Sequence, residues 1–146
     1  MVVTVAGSPI GIPSKRTRAL LAYLALREGA EISRDVLVGL LWGERGQAQA
    51  RASLRQSLSE LRAALAGSDP QPILAGRETL TWRSGSAWVD AAAVAAAASS
   101  TDDAIVQTTA SLIAGELLEG LFVGEPSFDQ WLSAERQRFH QTACAA

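Results

Sequence analysis

The sequence predicts an α+β fold in which a small β-hairpin, three helices and a short β-ribbon are followed by an all-α segment. Short β-prone runs bounded by glycine and proline lie at both ends of residues 1–90. Between these runs, apolar residues recur three times at helical spacing. Charge also divides the chain, because residues 1–66 carry a net charge of +4 and residues 67–146 carry −6. A basic half joined to an acidic half suggests nucleic-acid contact by the first half only.

A strand hairpin and a helix are predicted at the N-terminus. Residues 2–5 and 10–13 predict two strands around the turn signal at residues 7–9. Ser14 is a candidate N-cap for the first helix, which Gly29 ends. Cations in the first turn interact unfavourably with the positive end of the helix dipole, and a nearby phosphate would offset this cost. An equally good explanation is that these side chains are simply solvated surface cations. These cations are Lys15, Arg16 and Arg18.

Two further helices follow, separated by a tight turn. An extended stretch at residues 31–32 precedes Ser33, a candidate N-cap for a helix over residues 34–42. After a turn at residues 44–46, a long helix is predicted over residues 47–66. Its apolar residues form one stripe at helical spacing, namely Ala50, Leu54, Leu58, Leu61 and Leu65.

After the third helix, the sequence predicts a β-ribbon followed by helices. Residues 72–75 and 80–82 are β-prone runs joined by a turn at residues 76–78. Beyond residue 90 the composition becomes rich in alanine, the strongest helix former. We therefore expect two parts, residues 1–90 and a small all-α extension over residues 91–146.

The element order of residues 1–90 is that of a winged helix, in which the third helix enters the DNA major groove and the ribbon contacts the flanking backbone. Arginine reads guanine and glutamine reads adenine. The predicted base contacts on the third helix are Arg51, Arg55, Gln56 and Ser59. The predicted DNA backbone contacts are Lys15, Arg16, Ser33, Arg34, Arg62, Arg77 and Arg83.

Composition argues against several other classes of protein. The single cysteine, Cys144, excludes a disulfide framework and zinc sites built on cysteine pairs, and the single histidine, His140, has no second metal ligand nearby in sequence. We expect no enzyme activity, no metal and no cofactor. No long apolar run or secretory signal is evident, which predicts a cytoplasmic protein without membrane contact. The aromatic residues Tyr23, Trp42, Trp82, Trp88 and Trp131 are expected in the core or between domains.

Several runs of this sequence resemble the bacterial regulators called SARPs, the Streptomyces antibiotic regulatory protein type with an OmpR-like winged-helix domain. The combination of a Leu-Trp-Gly run with a Ser-Leu-Arg run is the most specific part. The matching runs are RALLAYLAL at 18–26, ISRDVL at 32–37, LLWG at 40–43, ARASLRQSLSELR at 50–62 and WVD at 88–90. GELLEGL at 115–121 and FDQWLSAER at 128–136 resemble the opening helices of the bacterial transcriptional activator domain.

The resemblance implies sequence-specific promoter binding, with the recognition helix at residues 47–66 and the wing at about residues 73–89. It also implies pairing of protomers on direct repeats of double-stranded DNA, contacts to RNA polymerase, and no catalysis. The activator domain of the family is longer than residues 91–146, so we expect either a fragment of a larger protein or a short form. The alternatives are a protein-interaction module on a winged-helix scaffold and a regulatory domain of a larger signalling protein.

Overall fold

The chain folds into helices and small antiparallel sheets, as seen in a computed structural model that describes residues 3–5, 8–12, 14–67, 71–83, 121 and 123–145. Strand β1 (Val3–Val5) pairs antiparallel with β2 (Ser8–Ile10), and Val5 lies opposite Ser8. Ser8 and Pro9 therefore belong to the return strand, whereas the sequence predicted them in the turn. Proline is tolerated there because this two-stranded sheet has only edge strands, where a missing N–H is tolerated.

Three helices follow close to the predicted positions. They are α1 (Lys15–Leu26), α2 (Arg34–Trp42) and α3 (Gln47–Ala64). Both predicted N-caps are confirmed, because the Thr17 N–H donates to Ser14 Oγ at 3.3 Å and the Asp35 N–H donates to Ser33 Oγ at 3.2 Å. Helix α3 ends two residues earlier than predicted.

A three-stranded sheet joins the middle of the chain to the ribbon that follows α3. The ribbon consists of β4 (Ile73–Ala75) and β5 (Thr79–Trp82), as predicted within one residue. Strand β3 (Glu31–Ser33) pairs with the other side of β5, which places β5 at the centre. Ser33 lies opposite Thr79, so the start of α2 is attached to the ribbon turn.

The core is formed by the helices and the sheet together. The predicted apolar stripe of α3 is buried from Ala50 to Leu65. Tyr23, Trp42 and Trp82 are buried as expected, while Trp88 and the helices predicted between residues 91 and 120 lie outside the described residues. No helix in the described part of the chain is long and apolar enough to cross a membrane.

The last described helix, α4 (Pro126–Ala145), packs on the same core. Phe128 and Leu132 are buried, and α4 contacts α2. The ring centroids of Trp131 and Tyr23 are 4.7 Å apart at an interplanar angle of 60°. This tilted geometry is favourable for aromatic pairs, so α4 is held against α1 as well as α2.

Candidate nucleic-acid interface

Helix α3 presents an arginine flank to solvent, which we define as Arg51, Arg55 and Arg62. Successive residues turn by about 100° around a helix, so these three side chains lie within about 40° of one another. All three residues are exposed, as is the neighbouring Ser59. The apolar stripe next to this flank is buried against α1 and α2, and that burial fixes the direction in which the arginines face.

The arginine flank is adjacent to the start of α2 and, through it, to the ribbon turn. Arg51 Nη2 lies 3.0 Å from Asp35 Oδ1, which joins α3 to the first turn of α2. The neighbouring Arg34 donates from Nε and Nη2 to the Gly76 carbonyl at 3.2 and 2.9 Å. Its backbone N–H donates to the Glu78 carbonyl at 2.9 Å. Arg34 therefore clamps the turn that carries Arg77, whose side chain is 96% exposed.

Gln56 does not share the arginine flank. It lies about 100° around the helix from Arg55, and it lines a groove of about 370 Å³ between α3 and the start of α1. The groove also holds three cations, Lys15, Arg16 and Arg45, with hydroxyls from Ser14 and Ser53 and the carboxylate of Glu60. The structure therefore divides the predicted DNA contacts into two groups, one on each side of α3.

Glu125 supplies a negative charge for Arg16 at the start of α1. Its carboxylate side chain is 6% exposed and lies 2.8 Å from Arg16 Nη2. Arg16 Nε also donates to the Leu41 carbonyl at 3.0 Å, so its guanidinium joins α1, α2 and the residue preceding α4. The sequence left open whether an anion offsets the cations at this helix end or whether they are simply solvated, and nothing in it singled out Glu125. The guanidinium of Arg16 therefore has partners within the fold, and its contact with a DNA phosphate stays a prediction.

Of the remaining predicted DNA contacts, Arg83 and Ser33 also form hydrogen bonds within the fold. The Arg83 N–H donates to the Pro72 carbonyl at 2.7 Å, and its Nε donates to the Gln71 carbonyl at 3.2 Å, which closes the open end of the ribbon. Ser33 Oγ serves as the N-cap of α2. Lys15 and Arg62 are exposed. Contact of these residues with DNA stays a prediction.

The sequence is similar to two curated transcriptional regulators. It is 36% identical to the transcriptional regulatory protein EmbR of Mycobacterium tuberculosis over 75 residues, which is 50% of this chain and 19% of EmbR. It is 42% identical to the regulatory protein AfsR of Streptomyces coelicolor over 59 residues, which is 40% of this chain and 6% of AfsR. The matched segments therefore span a fifth or less of these relatives.

The fold is similar to a solved EmbR structure. The Mycobacterium tuberculosis EmbR in complex with a low affinity phosphopeptide matches with a TM-score of 0.58 and 21% identity, covering 97% of this chain and 40% of that chain. No family model matches the chain. EmbR and AfsR are SARP-family transcriptional regulators, so the predicted resemblance to that group is confirmed.

Proposed function

From the similarity of this chain to SARP-type transcriptional regulators, we propose that it is a sequence-specific DNA-binding regulator built on a winged helix. Helix α3 is the recognition helix, and the β4–β5 ribbon is the wing. The chain acts without catalysis, cofactor or metal. Its target is double-stranded promoter DNA.

The observation that carries this proposal is the exposed arginine flank of α3 beside the ribbon turn. Arginine is the side chain best suited to bidentate contact with guanine O6 and N7 in the major groove. Arg51 and Arg55 lie in the first half of α3, the part that contacts base edges in helix-turn-helix proteins. Arg62, in the last turn, would contact a phosphate.

The elements around α3 suit contact with the DNA backbone. The N-terminus of α2 carries the positive end of a helix dipole, which favours a phosphate beside Ser33, while its Arg34 and Asp35 N–H groups already donate to the Glu78 carbonyl and to Ser33 Oγ. Arg77 lies on the turn that Arg34 attaches to this helix end. A phosphate near Ser33 and a second one near Arg77 would then place α3 along the groove. Such contacts orient the protein, while the α3 side chains read the sequence.

The proposal is tested by measuring affinity for DNA from the upstream region of the protein's own coding sequence and for a shuffled duplex of equal length and composition. Binding is followed by fluorescence anisotropy across a salt series. We expect tighter binding to the upstream DNA and a fall in affinity for both duplexes as salt rises, because phosphate contacts release counterions. Equal affinities, or no binding at low salt, would contradict the proposal.

A pair of variants makes the test specific to α3. Arg55→Ala is expected to weaken binding to the upstream DNA about tenfold, since one good base contact is worth about 1–3 kcal/mol. Its effect on the shuffled duplex should be small. Arg138→Ala is the matched control, because Arg138 is an exposed arginine on α4. It removes the same charge and should leave the preference for the upstream DNA unchanged.

We further propose activation by two protomers on direct repeats, with contact to RNA polymerase. A net charge of +4 over residues 1–66 leaves few phosphates neutralised by one copy. Two linked binding events raise the effective affinity without any new contact. Sedimentation of the complex on a duplex with two sites should then give two chains per duplex. Transcription in vitro from that promoter should rise when the chain is added.

A second candidate is a protein-interaction module. Val36 on α2 and Leu74 on β4 are large apolar residues that are 52% and 44% exposed, and exposed apolar side chains mark a partner site when they form a contiguous patch. Salt-insensitive capture of a partner by a chain that does not bind DNA would favour this candidate. The solved EmbR structure contains a bound phosphopeptide, and this chain covers 40% of that EmbR chain. Our proposal for this chain does not include a phosphopeptide ligand.

A further inference from the structure

Asp35 is an acidic residue placed beside the proposed DNA-reading surface. It lies in the first turn of α2, and its carboxylate accepts a hydrogen bond from Arg51 Nη2 at 3.0 Å across the helix–helix junction. The two side chains are 67% and 54% exposed. An exposed ion pair of this kind contributes little to folding stability. A carboxylate next to DNA also repels phosphates, so its presence there requires another explanation.

One explanation is local to α2. A carboxylate in the first turn of a helix interacts favourably with the helix dipole. This interaction accounts for an acidic residue at this position, but it does not involve Arg51. A dipole effect alone would leave DNA recognition by Arg51 unchanged when the carboxylate is removed.

We propose that Asp35 is a positioning residue that holds the Arg51 guanidinium in the orientation needed to read one base pair. The inference rests on the proposed function. Among the described residues, Asp35 is the partner of Arg51, and it engages Nη2. The other N–H groups of the guanidinium stay available for a base edge, because arginine has five donors in a rigid fork. Ordering this long side chain before binding lowers the entropy lost when it contacts the base.

The negative charge of Asp35 lowers the affinity for all DNA, because its carboxylate repels the nearest phosphates. This repulsion is the same on correct and incorrect sites, so it keeps non-specific binding weak without changing the ratio of the two affinities. The base preference comes from the ordered guanidinium of Arg51, because specificity is a difference between two affinities.

Arg55 provides an internal control. It lies one turn further along the same flank, and no described residue forms a hydrogen bond or ion pair with it. The proposal therefore predicts coupling between Asp35 and Arg51 and none between Asp35 and Arg55. Coupling of this kind is measured by double-mutant cycles.

The experiment selects binding sites from a randomised duplex library with the 146-residue chain and its variants. Wild type is compared with Asp35→Asn, Arg51→Ala, Arg55→Ala and the two double variants that contain Asp35→Asn. Asp35→Glu is included as a variant that retains the charge but displaces it. Thermal unfolding of each variant shows whether folding has changed.

We expect Asp35→Asn and Arg51→Ala to lose base preference at the same position of the selected site, and Arg55→Ala to lose it at another. Asp35→Asn should lower the ratio of selected-site to shuffled-DNA affinity about fivefold, since an unordered arginine must be fixed on binding. It should bind shuffled DNA about twofold more tightly, because a charge facing phosphate is removed. Asp35→Glu should keep the weak binding to shuffled DNA. In the Arg51→Ala background, Asp35→Asn should cause no further loss of preference.

Several results would overturn the inference. An unchanged selected site for Asp35→Asn, or a loss that is equally large in the Arg51→Ala background, would show that Asp35 does not act through Arg51. Equal weakening on all DNA together with lower thermal stability would assign Asp35 to the structure of α2 alone. If wild type selects no sequence at all, the proposed function fails, and the inference fails with it.

Discussion

The ion pair between Arg16 and Glu125 yields a prediction whose size and direction follow from unequal burial. The Glu125 side chain is 6% exposed, whereas Arg16 is 31% exposed and also donates to the Leu41 carbonyl. Removing the arginine leaves a carboxylate without its partner in a poorly hydrated place. Removing the carboxylate leaves a cation that can be hydrated and still keeps one hydrogen bond.

Arg16→Ala should therefore be more destabilising than Glu125→Gln. Loss of one partner from a fully buried pair costs about 3–5 kcal/mol. Partial hydration through the groove that Arg16 lines reduces this to about 2–3 kcal/mol. Glu125→Gln should cost about 1 kcal/mol, as for one hydrogen bond. At about 2–4 °C per kcal/mol for a chain of this size, Tm should fall by about 5–10 °C and about 2–4 °C respectively.

The double variant provides the decisive comparison. Adding Glu125→Gln to Arg16→Ala removes the unpaired charge, so the double variant should be more stable than Arg16→Ala alone. Thermal and urea unfolding are followed by circular dichroism. Lys15→Ala is the matched control, because Lys15 is an exposed cation at the same helix end, and its loss should be neutral or slightly stabilising. Additive losses in the double variant, or equal losses in the two single variants, would refute the reasoning.

Three further predictions concern the core, a helix and the DNA interface. Phe128→Ala should cost about 3–5 kcal/mol in urea unfolding, because Phe128 is fully buried in the shared core; a loss below about 1 kcal/mol would show that α4 is not part of that core. Gly39→Ala should stabilise the chain by about 0.5–1 kcal/mol, since nothing lies within 4 Å of the added Cβ. Gly43→Ala should be destabilising in the same assay, because its Cβ would lie 2.7 Å from the Gly39 carbonyl oxygen; the opposite order of these two variants would contradict the helix geometry. Arg62→Ala should weaken binding to upstream and shuffled DNA alike and lower the salt dependence by about one phosphate contact, and a selective loss on upstream DNA would instead make Arg62 a base contact.

Local patterns in the sequence were sufficient for most of the helices and strands in the described part of the chain. The apolar stripe of α3 follows the helical period, and Ser14 and Ser33 are strong N-caps, so these elements were predictable from neighbouring residues alone. The arginine flank was predictable for the same reason, because helical spacing places Arg51, Arg55 and Arg62 together. The position of Gln56 was also implied by that spacing, but the sequence prediction grouped it with the arginines.

Contacts between segments that are distant in sequence could not be predicted from local patterns. The pairing of β3 with β5, the contact of Asp35 with Arg51 and the pairing of Arg16 with Glu125 each join residues well separated in sequence. Many acidic residues could have neutralised the start of α1, and no local rule distinguishes Glu125 among them. Within the described residues, the sequence by itself determined which segments are helical or extended and which faces are apolar. The tertiary structure decided which charges meet, because that depends on how the apolar faces pack against one another.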